Sequence, residues 1–170
     1  SFGYQFLVLP FLKQADQIFP VSRYTKQQCL RRDISSEKLT IIPNGLDFST
    51  PHPCKAEVHQ SIDELTKAKL LGKIILLTLG RLIPRKGHTW FIKNVFTELP
   101  DNYVYLIAGA GQETENINKL SRELSLNDRV FLFGYVTEEE KACLFQQADL
   151  FIMPNISDED DQEGFGIVLL

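Results

Sequence analysis

The feature that most restricts the fold is an aliphatic run at residues 74–79, IILLTL, in which only Thr78 is polar. A strand with this composition has no polar face for water, so the run predicts a strand that is buried on both sides. Strands of that kind occur in parallel sheets that are covered by helices. Gly80 ends the run, and the sequence therefore predicts an α/β protein built around this strand.

Strand and helix patterns alternate along the rest of the chain. Further strands are predicted at 104–108, 130–133 and 150–153, and helices at 88–98, 113–125 and 138–147. The last of these helices has the strongest local signal, since Thr137 and Glu140 form a capping box ahead of apolar residues. Alternation of this kind predicts βαβ units, and hence a Rossmann-like parallel sheet with helices on both faces.

The first part of the chain has shorter predicted elements. Strands are expected at 18–21 and 39–42, and a helix that Ser22 can cap is expected at 23–32. Residues 48–59 contain prolines and little periodicity, which is typical of a crossing between two structural units. We therefore expect the chain to divide into residues 1–47, a linker with a short helix (61–71) at 48–71, and residues 72–170.

A group of cations follows the first buried strand. Arg81, Arg85 and Lys86 fall within one turn that leads through Gly87 into the helix predicted from residue 88. The backbone N–H groups and the dipole of a helix N-terminus attract anions, so a phosphate-bearing ligand is the expected occupant. Lys86 precedes Gly87 and no hydroxyl residue comes next, which excludes a P-loop. The alternative is a βα turn whose cations are only solvated.

The other predicted strands also end in small or turn-forming residues: Gly109-Ala110-Gly111, Gly134-Tyr135-Val136 and Pro154 onward. In an open parallel sheet, ligands bind outside the carboxyl ends of the strands, so these loops and Gly80-Arg81 are predicted to face one crevice. Gly109 and Gly111 resemble part of a dinucleotide fingerprint, but its third glycine position holds Thr114. We therefore favour a tight turn over an NAD or FAD site.

The segment 154–166, PNISDEDDQEGFG, contains four acids at 158–161. Acids in such a loop are usually solvated or set against cations, so no metal site is predicted there. Glu163 differs, because it stands at the predicted start of the last helix, where the dipole favours a carboxylate. The functional alternative is that Glu163 accepts hydrogen bonds from sugar hydroxyls, while the N–H groups of Phe165, Gly166 and Ile167 meet ligand oxygens.

Composition limits the possible partners. The net charge of -4, with basic residues dispersed or confined to residues 81–86, argues against a general nucleic-acid binder. Three cysteines that lie far apart indicate neither a disulfide framework nor a zinc site, so a reducing compartment is expected. Residues 2–12 are too short for a membrane span and lack a basic leader. The chain starts at Ser1 and is expected to be cut from a longer protein.

Five motifs occur in order at suitable spacings: VSRYTK, IIPNGLD, GRLIPRKG, FLFGYV and EGFGIVLL. Together they resemble the retaining glycosyltransferases of the GT-B fold, family four, also called glycosyl transferases group 1. The resemblance implies an incomplete GT-B protein, in which residues 1–47 end the acceptor-side domain and residues 72–170 begin the donor-side domain. The acceptor-binding residues would then lie outside this chain.

The resemblance also assigns residues to the donor, which would be a nucleoside diphosphate sugar. The diphosphate site would run from Gly80-Arg81 to Lys86-Gly87. Glu163 would be the first member of a Glu-x7-Glu motif and would contact the sugar, and the second member would follow Leu170. Other donor-binding residues would be Tyr135 and Val136 beside the base, and Gly164, Phe165, Gly166 and Ile167 through their backbone.

The implied reaction is transfer of a hexosyl unit to an acceptor hydroxyl with retention at the anomeric carbon, without a metal or a cofactor. Arg81, Lys86 and Glu163 would be its catalytic residues, and the fragment alone is expected to be inactive. The acceptor would be a sugar, a lipid-linked molecule or a polysaccharide, with no role for nucleic acid. The protein would be cytoplasmic, with peripheral contact at the inner membrane face through the N-terminal domain.

Two other interpretations are open. The first is an inactive nucleotide-sugar-binding module or partner subunit, against which the intact Arg81, Lys86 and Glu163 count. The second is a metal-dependent transferase of the other glycosyltransferase architecture. It requires an aspartate pair at a strand end, and the acids at 158–161 lie too late in the chain for that role.

Overall fold

The structure, a computed structural model, describes residues 8–45, 72–156 and 166. The chain divides into two compact units, residues 1–48 with 158–170, and residues 49–157. The helices predicted at 61–71 and after Glu163 lie outside the described residues, as do the acids at 158–161. The predicted division into domains stays a prediction.

A four-stranded parallel sheet forms the centre of the second unit. Its strands are β1 (Ile74–Leu79), β2 (Tyr103–Ala108), β3 (Val130–Gly134) and β4 (Leu150–Phe151). Their order in the sheet is β3-β2-β1-β4, so the chain moves outward from β1 to β3 and then crosses back to the other side of β1. This reversal makes a topological switch point beside the carboxyl end of β1.

The described helices are short. The first unit contains α1 (Leu9–Gln14) and α2 (Arg23–Leu30), and the second contains α3 (His88–Asn94), α4 (Thr114–Glu123) and α5 (Glu138–Gln147). Single 3-10 turns occur at Ser36–Lys38, Pro84–Lys86 and Phe96–Glu98. The predicted capping box of α5 is confirmed, with the Glu140 N–H donating to Thr137 and the Thr137 N–H donating to Glu140.

The sheet is buried on both sides, as its aliphatic β1 predicts. The first face carries Leu76 and Tyr105, and it packs against α3, α4 and the 3-10 turn that contains Phe96. The second face carries Ile75 and Leu77, and it packs against Leu144 of α5. Each fully buried side chain of this size contributes about 1.5–3 kcal/mol through removal from water. Helices on both faces are therefore confirmed.

Two predicted elements of the second unit are longer than the observed ones. The helix predicted at 88–98 breaks at Val95, whose φ of -126° and ψ of -54° leave the α region. A 3-10 turn replaces its end, and Leu99 is extended before Pro100, as residues before proline tend to be. The strand predicted at 150–153 is shortened to β4. The Ile152 N–H still donates to the Leu77 carbonyl, but the Ile152 carbonyl accepts the hydroxyl of Thr78 instead of a main-chain N–H of β1.

The strands predicted in the first unit are wrong as strands. Ile18 and Leu39 form only an isolated parallel bridge, extended by a bond from the Ile42 N–H to the Pro20 carbonyl. Pro20 has no N–H, so a longer ladder cannot form there. The predicted cap is confirmed, since the Ser22 hydroxyl accepts from the Thr25 N–H at 3.0 Å.

Two further observations concern the cysteines and the possibility of a membrane-spanning helix. Cys29 is free, but Cys143, buried in α5, is disulfide-bonded, so the expectation of no disulfide is wrong at that residue. No helix within the described ranges is long and apolar enough to cross a membrane.

Candidate functional site

A cavity of about 290 Å³ opens at the carboxyl ends of β1, β2 and β3. It is lined by Leu79, Gly80, Arg81, Ala108, Gly109, Ala110, Tyr135, Val136, Glu138 and Lys141. The structure therefore brings together four residues that sequence reasoning assigned to a donor: Gly80, Arg81, Tyr135 and Val136. Their position is the one at which open parallel sheets bind ligands.

Two positions in the cavity lining, Gly80 and Gly109, require glycine. Gly80 and Gly109 have φ angles of 148° and 145°, which side chains rarely adopt. A Cβ on Gly109 would lie 1.8 Å from the Gly80 carbonyl oxygen. The loops after β1 and β2 thus touch backbone to backbone, so a ligand can approach peptide groups directly. The tight turn predicted for Gly109 is consistent with this contact.

The two residues after β3 have different surroundings. Val136 is buried and packs in the cluster on the second face of the sheet, so its backbone is held firmly. Tyr135 is 87% exposed beside it. A fixed backbone that presents an open aromatic ring is a suitable support for a flat ring of a ligand.

The basic turn after β1 also contacts the segment after β4. The Ile156 N–H donates to the Arg85 carbonyl at 2.9 Å, and a Cβ on Gly87 would lie 2.4 Å from the Pro154 carbonyl oxygen. Gly87 adopts φ 69° and is buried, which explains why glycine stands there. These contacts hold the turn after β1 against the segment after β4.

Arg81 and Lys86 occupy different parts of this turn. Arg81 is exposed and lines the cavity, whereas Lys86 is half-buried on the 3-10 turn Pro84–Lys86 and does not line it. Arg85, between them, is buried. The structure thus does not bring Arg81 and Lys86 into the same cavity, and their shared role stays a prediction.

The remaining predicted site residues lie at the end of the chain. Glu163, Gly164, Phe165 and Ile167 lie outside the described residues, and Gly166 belongs to the other compact unit. Their assigned roles stay predictions.

Two cavity residues, Glu138 and Lys141, were missed by sequence reasoning. They lie one turn apart at the start of α5, and the Lys141 ammonium donates to the Glu138 carboxylate at 2.6 Å. Both side chains therefore have a fixed charge partner at the cavity edge. The available signal was an acid and a base three residues apart at the first turn of a helix that follows a predicted binding loop.

A buried polar chain runs beneath the basic turn. The Thr78 hydroxyl donates to the Ile152 carbonyl at 2.7 Å and lies 2.8 Å from the Tyr105 hydroxyl, which lies 3.3 Å from His88 Nδ1. Thr78 has one proton, so Tyr105 donates to Thr78 and His88 Nδ1 donates to Tyr105. This pattern assigns the proton of the neutral ring to Nδ1. Nε2 is then an acceptor, and it has no partner among the described residues.

Burial keeps His88 uncharged. Its pKa is lowered from 6.5 to about 4, first by burial and then by the charge of Lys86, while the Arg81 carbonyl acts in the opposite direction. Burial also raises the pKa of Tyr105. At neutral pH the cationic side chains of the cavity lining are therefore Arg81 and Lys141, and the nearby His88 adds no charge.

Within the ranges that the structure describes, no three residues of the types His, Cys, Asp and Glu cluster in a way that could hold a metal ion.

Two of the sequence relatives have names that describe transfer of a sugar to a phosphatidylinositol-based acceptor. The chain is 30% identical over 164 residues to a GDP-mannose-dependent alpha-(1-6)-phosphatidylinositol monomannoside mannosyltransferase of Mycobacterium tuberculosis, covering 91% of this chain and 40% of the relative. It is 25% identical over 166 residues to the GPI3 subunit of phosphatidylinositol N-acetylglucosaminyltransferase of Saccharomyces cerevisiae, covering 94% and 34%. The chain thus spans about two-fifths or less of the length of these relatives.

Solved structures share the fold. Sucrose-phosphate synthase from Thermosynechococcus elongatus matches with a TM-score of 0.75 at 24% identity, covering 99% of this chain and 41% of that protein. Anabaena HepE in complex with UDP-glucose matches with a TM-score of 0.73 at 18% identity, covering 95% and 44%. These likenesses confirm the predicted incomplete GT-B fold.

The family follows from the sequence itself. The profile of glycosyl transferases group 1 matches residues 61–170, which include the loop after β1, the cavity residues and the segment around Glu163. This chain belongs to the glycosyl transferases of group 1.

Proposed function

We propose that this chain is part of a retaining, metal-independent hexosyltransferase that uses a nucleoside diphosphate sugar. The observation that carries the proposal is the cavity in which Gly80, Arg81, Tyr135 and Val136 meet at the carboxyl ends of β1 and β3. In the proposed complex the base packs against Tyr135 and Val136. The diphosphate follows the glycine backbone toward Arg81.

The size of the cavity supports a divided donor site. A volume of about 290 Å³ lies at the lower limit of small-molecule sites, which range over roughly 300–1,000 Å³. Such a cavity suits the nucleoside end of the donor. The sugar would extend beyond it, where Glu163 is proposed to accept hydrogen bonds from its hydroxyls.

The chemistry proposed for the basic turn is stabilisation of the leaving group. When the bond from the anomeric carbon to the phosphate oxygen breaks, negative charge grows on the diphosphate. Arg81 and Lys86 would stabilise that charge in place of a divalent metal, and one such donor contributes about 3–4 kcal/mol in comparable sites. The buried, neutral His88 adds no charge, so the arginine and lysine side chains would supply this effect.

The acceptor and setting are proposed from the relatives. Both named relatives act on phosphatidylinositol-based molecules, so a lipid-linked acceptor at a membrane surface is proposed, with a mannosyl or N-acetylglucosaminyl group as the transferred unit. The proposed location is cytoplasmic, with peripheral membrane contact through parts of the protein outside this chain.

The test uses the full-length protein with UDP, GDP and ADP sugars and a lipid-linked acceptor. Arg81→Ala is expected to lower turnover by about a hundredfold while the circular dichroism spectrum is unchanged. Arg122→Ala, which removes an exposed arginine of α4, is the matched control and should leave turnover unchanged. Turnover of Arg81→Ala within threefold of wild type would refute the diphosphate assignment.

Two further measurements address the finer parts of the proposal. Nuclear magnetic resonance of the product reports whether the anomeric configuration of the donor is retained, and an inverted product refutes the retaining mechanism. Activity should persist in EDTA. Loss of activity in EDTA, with recovery on adding Mg²⁺, would instead indicate a metal-dependent transferase.

A binding subunit without activity is the second candidate, and the description of the yeast relative as a subunit favours it. Such a protein would bind a nucleotide sugar, with a thermal shift, but show no turnover until its partner is added. A turnover by the purified full-length protein would exclude this candidate.

A further inference from the structure

A second concave surface lies away from the cavity, between α3 and α4. This groove has a volume of about 540 Å³ and takes its lining from Thr89 to Asn94 on one side and from Glu113 to Glu123 on the other. Ten residues of helix rise about 15 Å, so the groove is long enough for a chain of small rings. Nothing in the donor proposal uses it.

Trp90 is the single tryptophan of the chain and is 49% exposed in this groove. Leu120 is the other large apolar residue of the lining. Two apolar side chains are too few to hold an acyl chain, and too few to form the hydrophobic core of a standard protein interface. An indole ring can instead pack against the flat apolar face of one polar ring.

Polar groups around Trp90 are already held in place. Asn94 Nδ2 donates to the Trp90 carbonyl at 2.8 Å, and Asn116 Nδ2 donates to Glu113 at 2.9 Å. Thr89 donates to the second oxygen of Glu113 across the groove at 3.4 Å. No hydrogen bond of either asparagine amide oxygen is recorded within the described residues, so both oxygens can accept from a ligand hydroxyl.

The charges of the groove are balanced. Lys93 and Lys119 stand against Glu113 and Glu123, and Lys119 pairs with Glu123 at 3.8 Å. A phosphate-bearing ligand would need an excess of positive charge, and a basic peptide an excess of negative charge. The lining therefore fits a neutral ligand that is rich in groups able both to donate and to accept hydrogen bonds.

We infer that the groove between α3 and α4 binds a neutral oligosaccharide, with one pyranose ring on Trp90 and hydroxyls on Asn94, Asn116 and Glu113. The choice of saccharide over neutral peptide rests on membership of a glycosyltransferase family, and it does not require the proposed donor site. A site of this kind would hold a growing or polymeric saccharide on the donor-side unit while its reacting end is elsewhere.

The test is isothermal titration calorimetry of the full-length protein with neutral tetrasaccharides of mannose, of glucose and of N-acetylglucosamine. At least one should bind saturably, and Trp90→Ala should weaken that binding tenfold or more, while Trp90→Phe retains most of it because an aromatic face remains. The double variant Asn94→Ala, Asn116→Ala should also weaken binding about tenfold.

Several outcomes would refute the inference. These are the absence of saturable binding by all three tetrasaccharides, binding that is equal in Trp90→Ala and wild type, or capture of a neutral peptide in preference to any saccharide. Arg81→Ala is the matched variant for the other site, and it should leave tetrasaccharide binding unchanged. The two proposals can therefore fail separately. An Arg81→Ala variant that keeps its turnover refutes the donor site alone, and a Trp90→Ala variant that keeps its tetrasaccharide binding refutes the groove alone.

Discussion

The two faces of the sheet are built differently. The cluster on the second face contains aliphatic side chains: Ile75, Leu77, Val104, Leu106, Ala108, Val136 and Leu144. The first face combines a larger apolar cluster with buried polar groups, namely the chain from His88 through Tyr105 to Thr78. Apolar packing stabilises the fold but has no preferred direction, whereas hydrogen bonds also fix the positions of the groups that they join.

This difference affects which loop segments each face of the sheet holds. The polar chain of the first face ends at the Ile152 carbonyl and at the first residue of α3, so it connects the segments after β4 and β1. These are the two segments that meet at the switch point. We therefore expect substitutions on the second face that do not touch the cavity lining, such as those at Leu144, to change stability alone. Substitutions in the polar chain should change the loop geometry as well.

The largest expected effect belongs to the second face. Leu144→Ala removes a fully buried side chain and leaves a cavity, which costs about 2–5 kcal/mol of unfolding free energy. Gln146→Ala, on the exposed side of the same helix, is the control and should change stability by less than about 0.5 kcal/mol. Chemical denaturation measures both. Equal, small effects would mean that α5 does not pack on this face.

The next effect concerns His88 and pH. Its folded pKa of about 4 lies below the ordinary 6.5, so between these values the unfolded chain binds a proton that the folded protein excludes. Stability contributed by the neutral ring is therefore complete above pH 6.5 and is lost as the pH falls toward 4, by up to about 3 kcal/mol. His88→Gln should remove this part of the pH dependence.

The measurement is denaturation of wild type and His88→Gln between pH 4 and pH 7. The difference between the two proteins isolates the imidazole from the carboxylates that titrate in the same range. Parallel curves would show that His88 is accessible to protons in the folded state, and the first face would then resemble the second in its electrostatics.

Sequence reasoning identified the parts of the second face more readily than those of the first. An unbroken aliphatic run such as β1 predicts two-sided burial by composition alone, and a capping box fixes the start of α5 by local chemistry. Thr78, His88 and Tyr105 lie far apart in sequence. They meet only because β1 and β2 pair with Leu76 opposite Tyr105, a register that no local pattern contains.

The residues of the candidate site also differ in how readily the sequence predicts them. Gly80, Arg81, Tyr135 and Val136 were found because parallel strands bring their carboxyl ends to one edge. Glu138 and Lys141 were missed because a charged pair at a helix start usually faces solvent. The end of α3 at Asn94 was missed because the apolar residues that follow it keep a helical spacing while the backbone changes at Val95.

A smaller effect is expected when the polar chain loses one link. Tyr105→Phe keeps the packing but leaves Thr78 and His88 without their shared hydroxyl, which costs about 1–3 kcal/mol. Tyr103→Phe, on the same strand and half-buried, is the matched control, because no hydrogen bond of its hydroxyl is recorded within the described residues. We expect a change of less than about 0.5 kcal/mol for Tyr103→Phe.

Donor binding distinguishes a purely structural role from control of the loops. If the chain holds the two loops at the switch point, Tyr105→Phe should weaken nucleotide binding to the folded protein, and Tyr103→Phe should not. Equal donor affinity in both variants, measured well below the unfolding transition, would limit the polar chain to stability.

The smallest effect tests whether surface charge matters on the first face. Arg129 is buried, and its guanidinium donates to the carbonyls of Tyr103, Leu99 and Pro100 and stacks 4.8 Å from the ring centre of Phe96. Its ion pair with Asp101 is 2.9 Å long, but the Asp101 side chain is 99% exposed. Water and salt screen such a pair, so Asp101→Asn should cost about 0.5 kcal/mol or less.

Arg129→Lys is the contrasting variant for that pair. A lysine keeps the charge but cannot serve the three carbonyls with one planar group, so a loss of about 1–3 kcal/mol is expected even though the ion pair can persist. Denaturation in low and high salt should leave the difference between the variants unchanged, because the bonds to the carbonyls are buried and are screened little. If Asp101→Asn lowers the free energy of unfolding more than Arg129→Lys does, the first face depends on its exposed ion pair more than on its buried hydrogen bonds. The contrast between directional and non-directional contacts would then not account for the stability of this face.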